Sequence, residues 1–204
     1  MRLRHRLVIA LGAILIALVF AAPVAADTTG GGNGTEATAF VDQVCTDNLD
    51  GTITCSETRL DAFKGKVSGD LVCYDEFTFT YDEATENTLS RIELSGCTEN
   101  SGNVTVDNLT SVSVASTDVA LTLLECDSTD DCIESDGGTI SISALWTGVG
   151  PTFKSSSSSH FRDPSCVEVD KSKSTTRNAT FDGPFDATFA EISVGTSSFR
   201  IRCK

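Results

Sequence analysis

The segment GTISISALWT, residues 138–147, alternates apolar and polar side chains with a period of two. Ile140, Ile142 and Trp146 share one parity, and serines take the other. Because successive side chains of a β-strand point to opposite faces, one face of this strand is predicted to pack in a core and the other to contact water. Trp146 has the apolar parity, so we expect it to be a core residue rather than a sugar-stacking platform.

The same alternation recurs from about residue 37 to the C-terminus. Examples are EFTFTY at 76–81, LSRIEL at 89–94 and SSFRIRC at 197–203. Val, Ile, Thr and Phe dominate these runs, Gly, Asp and Asn separate them, and no sustained helical stripe occurs. Many short strands at a spacing of roughly ten residues predict an all-β, antiparallel sandwich or barrel-like domain over residues 37–204.

The N-terminus reads MRLRHRLVIALGAILIALVFAAPVAA, residues 1–26. A basic start, a continuous apolar run and the small residues Val24 and Ala26 indicate a secretory signal peptide cleaved before Asp27. The alternative is an uncleaved membrane anchor, since the apolar run is long enough to span a bilayer. We expect cleavage, no membrane insertion afterwards, a secreted extracellular protein, and a flexible polar leader at residues 27–36 (DTTGGGNGTE).

The chain is strongly acidic. Its 15 Lys and Arg stand against 29 Asp and Glu, a formal net charge of -14. Signal cleavage removes three Arg, so the mature charge is 12 - 29 = -17. Nucleic-acid binding requires a surplus of cations to neutralise phosphates, so a nucleic-acid partner is excluded.

All eight cysteines follow the signal peptide, and an even number in an exported chain predicts four disulfides. They are Cys45, Cys55, Cys73, Cys97, Cys126, Cys132, Cys166 and Cys203. Two pairings are local. In the first, residues 49–51 form a three-residue hairpin loop ending at Gly51, which places Cys45 opposite Cys55. In the second, Cys126 and Cys132 close a loop of five residues.

The other pairings are weaker predictions. Cys73 and Cys97 belong to neighbouring strands, but placing Phe77 opposite Leu94 sets Cys73 against Thr98, one residue out of register. A β-bulge would be needed to restore the pair. Cys166 and Cys203 then pair by elimination.

Acidic residues crowd around Cys126 and Cys132, and calcium prefers hard oxygen ligands in such loops. One hypothesis is therefore a calcium site; the alternative is a solvated acidic loop. The candidate ligands are Asp127, Asp130, Asp131, Glu134 and Asp136. No other cofactor is predicted.

Catalytic motifs are weak. His160 lies beside Ser159 in a serine run, within a stretch at 147–165 that we expect to be a mobile surface loop. Such a loop does not hold a nucleophile and base in place, and no G-x-S-x-G occurs. The first hypothesis is therefore an exported, non-catalytic binding or surface-associated module with an extracellular protein or glycan as partner. The alternatives are an extracellular hydrolase using paired carboxylates and a structural component of a coat or matrix.

Overall fold

The computed structural model describes residues 28–65, 69–99, 103–162 and 166–203, which form antiparallel β-strands joined by short turns, without any helix. This confirms the all-β prediction. The strands are β1 (Thr28–Asp47), β2 (Thr52–Gly65), β3 (Gly69–Asp82), β4 (Thr88–Glu99), β5 (Val104–Asp107), β6 (Ser111–Asp127), β7 (Cys132–Arg162), β8 (Cys166–Asp182) and β9 (Phe189–Cys203). The predicted signal peptide lies outside the described residues. Within them, no helix is long and apolar enough to cross a membrane.

The strands form one sheet in the order β4-β3-β2-β1-β9-β8-β7-β6-β5, and β4 also pairs with β6. That extra pairing closes eight strands into a ring, with β5 added beside β6. Of the two architectures predicted, the barrel-like one is therefore correct. We call the β4–β6 pairing, which runs from Ser90↔Asp127 to Ser95↔Thr122, the seam.

The apolar parity of each strand faces the inside of the barrel. Trp146 is fully buried, and its ring centroid lies 5.0 Å from that of Phe181. Leu60, Ile142 and Ile192 are equally buried around it. The predicted core role of Trp146 is confirmed.

The hairpin disulfide was predicted correctly. Cys45 is bonded to Cys55 and pairs with it directly across β1 and β2. The amide of Asn48 donates to the Thr52 carbonyl at 3.0 Å, and Gly51 has a φ of 86°. A second local bridge, Cys126–Cys132, also forms as predicted.

The register predicted for the next disulfide was wrong. Cys73 pairs directly with Cys97 and is bonded to it, with no bulge between the bridge and Phe77. Phe77 pairs with Glu93 instead of Leu94. The prediction assumed that apolar residues of β3 and β4 face each other. Leu94 packs against the core whereas Phe77 lies on the outer face, so the two belong to opposite sides of the sheet.

Cys166 and Cys203 are register partners on β8 and β9, as their predicted pairing requires. The side chain of Cys203 lies outside the described part of the structure, so this bridge stays a prediction.

Two segments expected to be irregular are strands. Residues 28–36 of the expected flexible leader belong to β1 and pair with β9. The serine run of the expected mobile loop lies in β7 and pairs with β8 from Thr152 to Arg162. Neither segment alternates in hydropathy, and residues 32–33 and 152–162 are exposed on both faces of their strands. We call this four-stranded extension of β7, β8, β9 and β1 the arm; it comprises residues 152–162, 166–176, 193–203 and 28–33.

Candidate functional site

Arg59 lies at the centre of a charged and aromatic surface on the outer face of the barrel. Strand pairing places it directly opposite Phe40 of β1 and Asp75 of β3. Phe40 is in turn opposite Phe189 of β9. Directly paired residues of an antiparallel sheet share one face. The pairing of β9, β1, β2 and β3 therefore brings these four side chains together. We call this surface the Arg59 patch; its members are Glu36, Phe40, Arg59, Asp61, Asp75, Phe77, Phe189 and Glu191.

The guanidinium of Arg59 is held in place by a carboxylate. Its Nε lies 2.7 Å from Oδ2 of Asp61, and the hydroxyl of Thr38 donates to the other Asp61 oxygen at 2.7 Å. The Arg59 side chain is 54% exposed, against 20% for Asp61. The ion pair therefore fixes the orientation of an arginine that still offers donors to solvent or to a partner.

More carboxylates surround Arg59 than one cation can balance. Burial raises the pKa of Asp75, and the charges of Asp61 and Glu93 raise it further. Burial likewise raises the pKa of Glu36, with Asp61 again adding to the effect. Glu36 keeps contact with water, so solvent screens part of this repulsion, whereas Asp75 is half-buried. The patch therefore carries a local excess of negative charge that an added cation would relieve.

Phenylalanine rings flank the charged groups. The ring centroids of Phe40 and Phe189 are 4.9 Å apart, and those of Phe77 and Phe79 are 5.6 Å apart. All four rings keep some exposure on the outer face, and Phe189 is 36% exposed. Apolar rings beside a fixed, exposed arginine are the composition found at the centre of protein interfaces.

Two shallow clefts lie beside Arg59, each of about 280 Å³. Glu57, Asp75 and Phe77 line the first cleft. The second is lined by Glu36, Phe189 and Glu191. Arg59 and Phe40 line both, so the patch is one continuous surface with a ridge between two depressions.

The predicted calcium ligands do not converge. Asp127 accepts hydrogen bonds from the amides of Thr129 and Asp131 at 2.7 and 3.2 Å and so caps its own turn. Asp136 does the same for Gly138 at 2.7 Å. Across the described residues, no three side chains of the metal-ligating types come together. Two of the five proposed ligands, Asp127 and Asp136, therefore close turns, and calcium binding stays a prediction.

His160 and Ser159 are neighbours in β7, so their side chains point to opposite faces of the arm. They cannot form a base–nucleophile pair. Asp163, the acidic residue near His160 in the sequence, lies outside the described residues.

Sequence reasoning missed the Arg59 patch. Its members lie on four strands, and each one taken alone is an ordinary outer-face residue. The signal in the sequence was the alternation of Phe77 and Phe79, but the predicted register placed Phe77 opposite Leu94.

Comparison with family models, with curated proteins and with solved structures found no match for this chain. The three disulfides are those of a protein that folds in an oxidising, extracellular environment.

Proposed function

We propose that this chain is a secreted, non-catalytic module that binds an extracellular protein through the Arg59 patch. The observation that carries the proposal is the exposed Arg59, oriented by Asp61 and flanked by phenylalanine rings on a rigid sheet face. The orientation of the arginine is fixed before a partner arrives, so little side-chain entropy is lost on binding. Secretion is supported by the signal-like N-terminus and the disulfides.

A protein partner is favoured over a glycan by the form of the aromatic surface. The Phe40 and Phe189 planes are tilted by 33° to each other, and those of Phe77 and Phe79 by 42°. These pairs do not present one flat platform for a sugar ring. Their uneven surface suits apolar side chains, while the surplus carboxylates suit lysine or arginine.

The test is affinity capture from the culture medium of the source organism with the oxidised mature protein as bait. The patch variant is Phe77→Ser, and the matched control is Phe153→Ser, which removes a ring that is 58% exposed on the arm. The proposal requires a protein that binds the wild type and the control but not the patch variant. Equal capture by all three baits, or no capture by any, would overturn it.

A second candidate is an extracellular hydrolase. Three carboxylates line the first cleft and two line the second, and burial raises the pKa of one in each, Asp75 in the first and Glu36 in the second. Glycoside hydrolysis uses a pair of carboxyl groups whose environments push their pKa values apart. Hydrolysis of a soluble glycan panel by the wild type, abolished by Asp75→Asn or Glu36→Gln, would favour this candidate over a pure binding role.

A further inference from the structure

The arm continues the wall of the barrel, and its two faces continue the inner and outer faces of that wall. Ile192 is buried inside the barrel and pairs with Ala37 on one side and Arg177 on the other. From that row outward, every second residue of each strand stays on the inner side. Beyond the barrel no core covers this side, and its serines and lysines on β7 and β8 are exposed.

The inner side of the arm is basic. Lys173 pairs with Ser156 and Thr196, and Lys171 pairs with Ser158 and Ser198. Further cations stand on the same side in the rows before and after these. We call this surface the basic face; its cations are Lys154, Arg162, Lys171, Lys173 and Arg200.

No acidic residue occupies the basic face within the described arm. The two carboxylates of the described arm, Glu168 and Asp170, have the opposite parity and take the outer face. The outer face also carries the exposed rings of Phe153 and Phe161, and serine pairs such as Ser155–Ser174 and Ser157–Ser172 joined by hydroxyl hydrogen bonds of 2.7 Å. Charge is therefore sorted between the two sides of one sheet.

Charge is also distributed unevenly along the sequence. Residues 27–153 hold 4 Lys and Arg and 23 Asp and Glu, a net charge of 4 - 23 = -19. Residues 154–204 hold 8 and 6, a net charge of 8 - 6 = +2. A surface that carries only cations is not expected from the composition of so acidic a protein, so the basic face is a specific feature of this structure.

We infer that the partner of the Arg59 patch is the basic face of a second copy of this chain. This inference rests on the proposed function and names its partner. The patch has surplus carboxylates around Arg59, and the basic face has lysines with no carboxylate beside them on that side. Docking would place Lys171 and Lys173 near Asp75 and Glu36 and offset the charge of Asp61, which adds to the effect of burial in raising the pKa of both acids.

One molecule cannot satisfy this contact by itself. The patch lies on the outer side of β9, β1, β2 and β3, whereas the basic face lies on the inner side of the same continuous wall. The contact is therefore between molecules. Because two different surfaces meet, it is head-to-tail, and it extends into chains of molecules unless the rotation closes a ring. Such chains would suit the coat or matrix role that the sequence left open.

The experiment is sedimentation velocity of the oxidised mature protein across a concentration series. The wild type is compared with Lys171→Glu/Lys173→Glu on the basic face and with Glu36→Lys/Asp75→Lys on the patch. The matched control is Ser155→Glu/Ser157→Glu, which adds carboxylates to the other side of the arm. Salt is held constant, because salt screens both the contact and the repulsion between molecules of net charge -17.

The inference requires that the wild type and the control self-associate. Each charge-reversed variant alone should associate at least about tenfold more weakly, since close charge pairs at interfaces are worth roughly 1.5 kcal/mol or more. An equimolar mixture of the two variants should associate again, because the patch of the first and the arm of the second are both unchanged. Circular dichroism and melting temperature confirm that each variant folds.

Three results would overturn the inference. A wild type that stays monomeric contradicts it directly. Self-association that the lysine reversals do not weaken would place the contact between molecules elsewhere. If Phe77→Ser then still abolishes capture of another protein, the proposed function stands without this partner. Binding of the monomeric wild type to heparin, lost on lysine reversal, would assign the basic face to a polyanion instead.

Discussion

The substitution Gly96→Ala tests whether the barrel is closed. Gly96 lies on β4 at the end of the seam, next to the Ser95↔Thr122 pair. A Cβ at this position would overlap the carbonyl oxygen of Ala120. It would also lie 3.0 Å from that carbonyl carbon and 3.2 Å from Cα of Leu121, where ordinary contacts begin at 3.4 Å. All three atoms are backbone, so β4 and β6 must separate.

The cost can be worked from three contributions. Overpacking of a filled site costs about 1–3 kcal/mol. Separation at the end of the seam removes about two backbone hydrogen bonds, each worth about 1 kcal/mol. Alanine recovers about 0.5–1 kcal/mol relative to glycine in a strand. We expect a net loss of about 2–4 kcal/mol in the free energy of unfolding.

The matched control is Gly195→Ala. Gly195 also lies in a strand, but the nearest atom to a Cβ there is the carbonyl oxygen of Lys173 at 3.6 Å, an ordinary contact. This substitution should be neutral or stabilising by up to about 1 kcal/mol.

The assay is urea unfolding followed by the fluorescence of Trp146, the single tryptophan of the chain. Hydrogen exchange adds a second readout, because Gly96→Ala should reduce protection at Ile92 and Leu94 along the seam. If Gly96→Ala were as stable as Gly195→Ala and kept its protection there, β4 and β6 would not meet, and the closed barrel would be wrong.

Three further predictions concern the disulfides, the patch and the core. Replacing the Cys73–Cys97 bridge with serines should lower the free energy of unfolding by about 3.5 kcal/mol, and replacing Cys126–Cys132 should lower it by about 2.3 kcal/mol. The difference arises because the two bridges close loops with sequence separations of 24 and 6. Urea unfolding that gave the reverse order would contradict the chain-entropy argument. Burial and the charge of Asp61 raise the folded pKa of Asp75 above 3.8, so its ionisation destabilises the fold as pH rises through that raised value. Asp75→Asn should therefore raise the melting temperature near neutral pH and lose this advantage below pH 3.8, whereas an equal gain at both pH values would exclude the electrostatic cause. Trp146→Ala should lower the free energy of unfolding by about 3–5 kcal/mol. Trp146→Phe should lower it by less than about 2 kcal/mol, because phenylalanine keeps an apolar ring and removes a buried indole N–H without an acceptor among the described residues. Equal losses would place the ring outside the core.

The sequence was most informative where structure is local. The loop at 49–51 sets the register of its own hairpin, so Cys45 and Cys55 could be paired from a few residues. The parity of Trp146 within its own strand was also enough to predict that its side chain is buried. Both inferences need only the period of a strand and the geometry of a turn.

Prediction failed where partners distant in sequence decide the structure. The serine run at 155–159 has neither alternation nor apolar content, yet β8 pairs with all of it. The Arg59 patch requires the register of β9, β1, β2 and β3 at once, and an error of one residue moves Phe77 to the wrong face. The basic face is equally non-local, because its cations come from three strands.

The most direct test of the central claim, that the basic face of one molecule binds the Arg59 patch of another, is photo-crosslinking. A benzoylphenylalanine is placed at position 158, which lies on the basic face opposite Lys171, or at position 157 on the other side of the arm. Crosslinked dimers are isolated from the oxidised protein and their peptides identified by mass spectrometry. Position 158 should crosslink to peptides containing Arg59 or Asp75, and position 157 should not. No dimer from position 158, or the same crosslinks from both positions, would contradict it.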